Sequence, residues 1–396
     1  MISLFRKICN KKTVNSGIYC SELPFSGILA VLILSALIPA GAVRAEESAG
    51  DQITLLMAGD VLMHEPVLDA GRQADGSLDY DILFDGLKDE IETADIAIVN
   101  QETILGGEEL RYTGYPSFNS PYEVGDAEVR AGFDVILQGS NHALDRSAGG
   151  IFNCLGFWKD EHPDIKVLGI HDDPEDQNRI CVVEKNGISV SILNYTYGTN
   201  GIQMPEGMGY LVDYLSENRV RSDIKRAREL SDLVVVCPHW GTEYKLGISE
   251  YQEKWTGIFL SEGVDLVIGT HPHVIEPVMW KADENGHRIL VYYSLGNFVN
   301  STNGTGKGVM NRMVGGLADV AIKKDPDGKT YVAGYDVIPV VCHLEEGSVK
   351  AYHIKDYNEE LAEQNLIRSR DPDFSYESVK ELLRDVWPFY EIKSGR

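Results

Sequence analysis

The chain has 396 residues, of which 43% are hydrophobic and 24% are charged, a composition that excludes a disordered chain and allows a substantial core. Its formal net charge is −25 at pH 7. A chain this acidic repels nucleic acid and anionic lipid at long range, so we expect no nucleic-acid partner.

The first 45 residues have the pattern of a secretory signal. Basic residues precede the apolar run 27–43, and the small-residue sequence Val43-Arg44-Ala45 follows it. The run is shorter than the roughly 20 apolar residues of a membrane span, which favours a signal peptide, with a retained N-terminal membrane anchor as the alternative. We therefore expect an extracytoplasmic protein, secreted or anchored to the membrane by this segment. Because the leader holds five basic residues and one acidic residue, the remaining chain has a formal charge of −29.

Short apolar strands alternate with helices over residues 52–310, which predicts a layered α/β fold. We predict strands at 53–58, 96–99, 134–137, 167–170, 188–194, 233–237, 265–270 and 289–293, and helices at 81–93, 123–131, 149–160, 216–230 and 251–262. Residues 311–396 read as β strands followed by a helix at 376–385. We interpret them as a C-terminal segment that completes the fold.

Polar side chains follow most of the predicted strands, where ligands gather in α/β sheets. They are Asp60, His64, Asn100, Glu102, Asn141, His142, Asp145, His239, Glu243, His271 and His273. This set of carboxylates, amides and imidazoles contains no thiolate, so it suits one or two divalent ions of Mn, Zn, Fe or Mg. Two metals about 3.5–4 Å apart would need one bridging carboxylate, which the set provides.

His271 and His273 are separated only by Pro272. In an extended backbone, residues i and i+2 point to the same face, and the proline stiffens their spacing. The pattern therefore predicts a pair of nitrogen ligands. The alternative is two loop histidines that bond nearby carbonyl groups.

Other members of the set also have structural interpretations. Asp60 could cap a helix, Asn141 could form an Asx turn, His142 could be a core histidine and Glu243 a solvated charge. For Asp145 we favour an N-cap of the helix that follows Ser147. The number of such strand ends in one chain favours a shared site.

The order of these motifs resembles the bacterial capsule-synthesis family named for CapA, poly-γ-glutamate biosynthesis proteins of the calcineurin-like metallophosphoesterase superfamily. The similarity runs from about Thr54 to Asn300. It is carried by MAGDVLMHEP, DIAIVNQET, GFDVILQGSNHALD, VVVCPHWGTEY, IGTHPHV and YYSLGNFV. The resemblance implies a metallophosphatase-like α-β-β-α sandwich with mixed sheets.

The resemblance also implies roles for matching residues. Asp60 and Asn141 would bind metal, Glu102 would take the place of the bridging carboxylate with Asn100 as the alternative, and His142 would be the general acid. The histidines His239, His271 and His273 would complete the metal shells. His64, Glu243 and Asn297 are possible additional site residues. Trp240 and Tyr244 could line the pocket, with packing between the layers as the alternative for Trp240. The sequence departs from the common superfamily pattern in its wider Asp60–His64 spacing and in N-x-E instead of G-D.

Two functions are consistent with these features. The first is a metal-dependent hydrolase of a phosphoester or an amide bond in an anionic envelope polymer. The second is a non-enzymatic scaffold, a partner of membrane-bound subunits that synthesise or export capsule or poly-γ-glutamate. A nuclease is disfavoured because the acidic body lacks a basic track for a phosphate backbone.

Overall fold

The computed structural model describes residues 52–391, so the predicted signal peptide or membrane anchor at 1–45 lies outside the described residues. The strands are β1 (Gln52–Val61), β2 (Ile96–Gln101), β3 (Val135–Leu137), β4 (Lys166–Leu168), β5 (Cys181–Lys185), β6 (Ile188–Thr196), β7 (Leu233–His239), β8 (Leu266–Ile268), β9 (Val278–Ala282), β10 (Arg288–Tyr292), β11 (Asn297–Val299), β12 (Val314–Lys324), β13 (Thr330–Glu345) and β14 (Ser348–His353).

The α-helices of the described residues are mostly short. They are α1 (Glu65–Ala70), α2 (Lys88–Glu92), α3 (Tyr122–Ala131), α4 (Ser147–Glu161), α5 (Pro174–Gln177), α6 (Glu217–Leu230), α7 (Glu250–Glu262), α8 (Glu359–Gln364) and α9 (Tyr376–Val386). Within this part of the chain, none combines the length and the apolar character that a bilayer crossing requires.

The strands form two mixed sheets. The first has the order β14-β13-β12-β1-β2-β3-β4, and β11 pairs in parallel with the end of β1. The second has the order β5-β6-β7-β8-β10-β9. Both sheets contain a block of parallel strands. Antiparallel strands extend one edge of the first sheet and both edges of the second. The parallel strands therefore end on one side of each sheet, where the predicted site residues lie.

Alternating side chains on β7 show how the layers are stacked. Val234 and Val236 pack in a cluster with residues of α6 and α7, whereas Val235 and Cys237 belong to the core that holds the first sheet. Because successive side chains of a strand point to opposite faces, the second sheet lies between helices and the first sheet. The predicted layered α/β fold with mixed sheets is confirmed.

The residues after 310 are part of the first sheet. The strand β12 pairs with β1 over most of its length, and β13 and β14 extend the sheet outward. Trp387, directly after α9, is fully buried, and its Nε1 donates to the backbone oxygen of Glu276 over 2.9 Å. The C-terminal segment thus supports the strand that carries Asp60.

One predicted helix is wrong. Residues 81–93 form a 3-10 turn at Asp81–Leu83 and the short helix α2 instead of one continuous helix. Gly86 lies between the two pieces, and a Cβ at this position would collide with the backbone oxygen of Ala351 in β14. Glycine is a poor helix former, and here its use is to let the chain approach the sheet closely.

Candidate metal centre

The predicted ligands converge where strands of the two sheets end. Asp60 lies near the end of β1, Glu102 follows β2, Asn141 and His142 follow β3, His239 ends β7, and His271 and His273 follow β8. All seven side chains are buried, with exposed fractions of 6% or less. The structure therefore brings together residues that are separated by more than two hundred positions in the sequence.

Asp60, Glu102 and His273 form the first cluster. The Nδ1 atom of His273 lies 3.4 Å from Asp60 Oδ2, and its Nε2 atom lies 3.6 Å from Glu102 Oε1. Asn100 Nδ2 donates to Asp60 Oδ1 over 2.8 Å, and the backbone N–H of His271 donates to Asp60 Oδ2 over 3.2 Å. One ligand atom from each of the three side chains lies within 4.8 Å of the others.

Glu102, His239 and His271 form the second cluster, with ligand atoms again within 4.8 Å of one another. His239 Nε2 lies 3.5 Å from Glu102 Oε1 and 2.8 Å from Asn141 Oδ1. Its other nitrogen, Nδ1, lies 3.0 Å from Thr270 Oγ1, a contact that fixes the ring orientation. Glu102 belongs to both clusters, so its carboxylate lies between two sets of imidazoles.

The predicted extended backbone at His271 and His273 is wrong. His271 and His273 have φ angles of +100° and +58°, so they form a turn after β8. Such angles cost roughly 1–3 kcal/mol in non-glycine residues and persist only where surrounding contacts hold them. Here Asp60 accepts the N–H of His271, and Pro272 O accepts the N–H of Tyr244 over 2.8 Å. The two rings still lie together, with centroids 5.8 Å apart.

Burial and mutual charge set the protonation of the clusters. Burial opposes the ionisation of Glu102, but the positive charges of His273 and His239 outweigh it and lower the pKa of Glu102. For His273 burial is likewise outweighed, by Glu102 and Asp60, so its pKa rises to about 9. Burial and the charge of Glu102 raise the pKa of Asp60. Burial and the neighbouring imidazoles lower the pKa of His271, which keeps it neutral.

His142 is paired with Asp145. The Nδ1 atom of His142 lies 2.7 Å from Asp145 Oδ2, which also accepts the N–H of Phe118 over 2.7 Å. The N-cap role favoured for Asp145 is wrong, because α4 begins at Ser147 without a side-chain cap. Asp145 instead orients the imidazole, and no described residue bonds its Nε2 atom. The i, i+3 spacing of His142 and Asp145 in NHALD is the sequence signal that could have indicated this pair.

The additional candidates surround the clusters. His64 precedes α1, and burial, followed by the charge of His273, lowers its pKa to about 4. Asn100 bonds Asp60, as described above. Glu243 is exposed, yet its carboxylate lies within 4.8 Å of ligand atoms of His271 and His273. Asn297 Oδ1 lies 3.0 Å from His273 Nδ1, so Asn297 orients this histidine.

Three nearby residues have contacts that the sequence did not indicate. Tyr197, after β6, packs its ring 4.6 Å from that of His271, and Asn141 Nδ2 donates to Asn200 Oδ1 over 3.3 Å. Thr270 positions His239. Trp240, a predicted lining residue, is instead fully buried in the core, and its Nε1 donates to the backbone oxygen of Tyr293.

The clusters fit a divalent cation on structural grounds. Within the described residues, both carboxylate oxygens of Glu102 and the Nδ1 atom of His271 are buried without a hydrogen-bond partner. A buried carboxylate without such partners is destabilising unless a cation compensates it. Oxygen and imidazole nitrogen ligands suit Mn, Zn, Fe or Mg. The donors present therefore fit one or two such ions.

A family model described as bacterial capsule synthesis protein PGA_cap matches residues 54–302. The chain belongs to this family. The predicted family is thereby confirmed. The matched range contains every residue of the two clusters, so the part of the chain that matches the PGA_cap family is the part that contains the candidate metal centre.

This PGA_cap chain is similar to two proteins named CapA. One is similar to it at 26% identity over 212 residues, 52% of this chain and 51% of the relative, and is the PGA biosynthesis protein CapA of Bacillus subtilis (strain 168). The other is the capsule biosynthesis protein CapA of Bacillus anthracis, 26% identical over 259 residues, 63% of this chain and 60% of the relative. The matches thus span about half to three-fifths of these relatives' length.

Solved structures with a similar backbone course include two nucleotidases. A putative 5′-nucleotidase from Staphylococcus aureus has a TM-score of 0.45 and 16% identity, covering 73% of this chain and 54% of the other. The NAD nucleotidase of Haemophilus influenzae has a TM-score of 0.47 and 12% identity, covering 84% and 66%.

Proposed function

We propose that this PGA_cap protein is an extracytoplasmic, metal-dependent hydrolase that acts on a phosphoester or an amide bond of an anionic envelope polymer. The observation that carries the proposal is the shared carboxylate of Glu102. It is buried between two clusters of ligand atoms, and both of its oxygens lack a hydrogen-bond partner among the described residues. Such an arrangement suits a bridge between two cations.

The residues that would hold the ions are those of the two clusters together with Asn141. When bound, the ions supply Lewis acidity to a phosphorus or carbonyl centre and neutralise charge that develops there. The chain supplies the orientation, because Thr270 fixes His239 and Asn297 fixes His273. Imidazoles that are held in place before the ions arrive keep the ligand geometry defined.

His142 is the proposed general acid. Its Nδ1 atom is bonded to Asp145, so the proton that can be given to a leaving oxygen or nitrogen is the one on Nε2. Asp145 holds the imidazole in this orientation. The edge of the Phe118 ring, 4.7 Å from the His142 ring between centroids, limits its rotation.

The test measures metal content and activity of the purified full chain. Elemental analysis is combined with hydrolysis of an aryl phosphate and of poly-γ-glutamate, with and without chelator. We expect bound divalent metal and an activity that chelator removes and metal restores. Glu102→Gln should lose both metal and activity. A metal-free, inert protein would overturn the proposal.

Glu128 offers a matched control. It is also a buried glutamate without a hydrogen-bond partner within the described residues, but it lies on α3. Glu128→Gln should therefore keep metal content and activity, which separates loss of a ligand from loss of any buried carboxylate. If Glu128→Gln lost metal as fully as Glu102→Gln, the assignment of Glu102 would be contradicted.

The second candidate function is a scaffold within a capsule or poly-γ-glutamate synthesis or export complex. It is favoured by the two relatives, which are both named for biosynthesis. In cells, the double change Asn141→Ala and His142→Ala distinguishes the candidates. Polymer production that persists at normal protein level supports the scaffold, whereas lost production at normal protein level supports the hydrolase.

A further inference from the structure

Arg312 lies beside the two clusters. It is in the 3-10 turn Val309–Met313 that precedes β12, and its backbone oxygen accepts a hydrogen bond from Asn297 Nδ2 over 2.8 Å. Asn297 is the residue that contacts His273. The backbone of Arg312 is thus linked to a proposed metal ligand through a single side chain.

The guanidinium of Arg312 is held by Tyr244. Its Cζ atom lies 3.5 Å from the centroid of the Tyr244 ring, and that ring lies 6.0 Å from the ring of His273. The N–H of Tyr244 donates to the backbone oxygen of Pro272, so Tyr244 is fixed to the turn that carries His271 and His273. A second link therefore holds the charged group of Arg312 at the same site.

The guanidinium has unused hydrogen-bond donors. Nη1 donates to Thr302 Oγ1 over 3.1 Å, and the described residues provide no other acceptor for the five N–H groups of Arg312. None of the described carboxylates lies within ion-pair distance of it, although the chain carries 61 aspartates and glutamates. An arginine held on an aromatic ring with a free fork of donors matches the geometry of a carboxylate or phosphate.

Two partly exposed aromatic rings lie beside the histidines of the clusters, and one of them, Tyr244, holds Arg312. Tyr244 and Tyr197 are 45% and 39% exposed, and they pack against His273 and His271. Exposed rings beside buried polar groups are typical of binding surfaces, because they offer apolar area at low conformational cost.

We propose that Arg312 binds an oxyanion of the substrate, next to the bond that reacts, and so selects anionic substrates. This proposal rests on the proposed function for the position of the reacting bond. The oxyanion is a carboxylate if the substrate is a polyglutamate chain and a phosphate if it is a phosphoester. Arg312 thereby supplies local attraction that the acidic remainder of the chain does not provide.

The test measures equilibrium binding to the full chain as purified. Calorimetry at low salt uses a γ-linked glutamate oligomer as the carboxylate probe and inorganic phosphate as the phosphate probe. We expect the wild-type chain to bind one of them saturably. Arg312→Gln should weaken that binding about 10- to 100-fold, as expected for loss of a charge-assisted hydrogen bond. Arg312→Lys should fall between the two, since lysine keeps the charge without the fork.

Arg288 provides the matched control. Its Cζ atom lies 4.3 Å from the centroid of the Trp280 ring, and it begins β10, at the end opposite the site. Arg288→Gln should bind as the wild type does. Equal binding by Arg312→Gln and wild type, equal loss in both glutamine variants, or no binding of either probe would overturn the proposal.

The outcome is separable from that of the hydrolase test. An inert protein that shows Arg312-dependent binding supports the role of Arg312 and removes the hydrolase. An active hydrolase whose binding is unchanged in Arg312→Gln overturns the role of Arg312 alone.

Discussion

Glu102 and Glu128 show how different neighbours give one residue type opposite behaviour. Both side chains are fully buried, and neither has a hydrogen-bond partner among the described residues. Burial raises the pKa of Glu128, so it is neutral, whereas His273 and His239 lower the pKa of Glu102 despite burial. The imidazole neighbours, and not burial, therefore distinguish Glu102 from Glu128.

Replacement of Asp145 should affect His142, the proposed general acid, and leave the two clusters of ligand residues intact. In Asp145→Asn the isosteric amide keeps the volume but replaces the carboxylate that accepts from His142 and orients its ring. We expect kcat on an aryl phosphate to fall by about 10²-fold or more, in the range of general acid–base contributions, with metal content unchanged. Steady-state kinetics and elemental analysis measure both quantities.

The pair His162–Asp126 is the control for that prediction. Its His162 Nε2 to Asp126 Oδ1 distance is 2.7 Å, the same as in the His142–Asp145 pair. It lies on α3 and after α4, and neither member belongs to a cluster. Asp126→Asn should leave kcat unchanged. A full-activity Asp145→Asn variant would contradict the orienting role.

The sequence predicted the convergence of the ligands better than their orientation. Positions such as Asp60 and His239 follow apolar strands, and parallel strands end at one edge, so their proximity is predictable. The partners that fix each ring were not predictable. Asn297 and Thr270 contact histidines of other segments. Asp145 was predicted to cap a helix because its position before α4 suits a cap, whereas the backbone angles that decide capping cannot be read from the sequence.

At the scale of elements, the position of β1 depends on the close approach of its backbone at Gly59 to the backbone of Gly296. This strand pairs with β2, β12 and, at its end, β11. A Cβ at Gly59 would collide with the backbone oxygen of Gly296, which also accepts the N–H of Asp60 over 2.9 Å. Gly59→Ala should therefore lower the free energy of unfolding by about 1–3 kcal/mol and weaken metal binding. Urea unfolding and metal titration measure these effects.

Gly156 is the matched control for Gly59. It lies within α4, and a Cβ there would meet no heavy atom within 4 Å. Because alanine favours the helix over glycine, Gly156→Ala should stabilise the protein by up to about 1 kcal/mol without an effect on metal binding. Unchanged stability in Gly59→Ala would show that β1 and the backbone at Gly296 can move apart without cost.

The central elements of the fold were predictable, and the edge strands of the second sheet were not. Buried parallel strands such as β7 and β8 are continuous apolar runs, which a sequence displays directly. The edge strands β5 and β9 were missed because they are short and none of their residues is buried. The break at Gly86 depends on β14, more than 260 residues away, and local periodicity carries no information on that contact.

The stability of the whole molecule should depend on pH through His171. Its ring bridges Asp176 Oδ2 at 3.0 Å and Asp213 Oδ2 at 2.8 Å. Burial opposes the charged form, but these hydrogen bonds outweigh it and raise the pKa of His171 to about 9 from 6.5. The stabilisation is complete below pH 6.5, decreases as pH rises and is lost above about 9. It amounts to about 3 kcal/mol at most.

Urea unfolding at pH 6, 8 and 10 tests this dependence. We expect His171→Gln to lower the unfolding free energy at pH 6 and to approach the wild type at pH 10. His162→Gln, a change in a more exposed histidine, controls for general effects of histidine loss. A constant difference between wild type and His171→Gln over this range would contradict the linkage.

The sharing of Glu102 has an evolutionary consequence. Loss of Asp60 removes a ligand from one cluster, and loss of His239 removes a ligand from the other. A change from Glu to Gln at position 102 removes the carboxylate of both clusters in one step. Such a substitution conserves side-chain volume, so the fold would survive it. In the proposed hydrolase, a single mutation at this position would therefore end the reaction while the fold persisted.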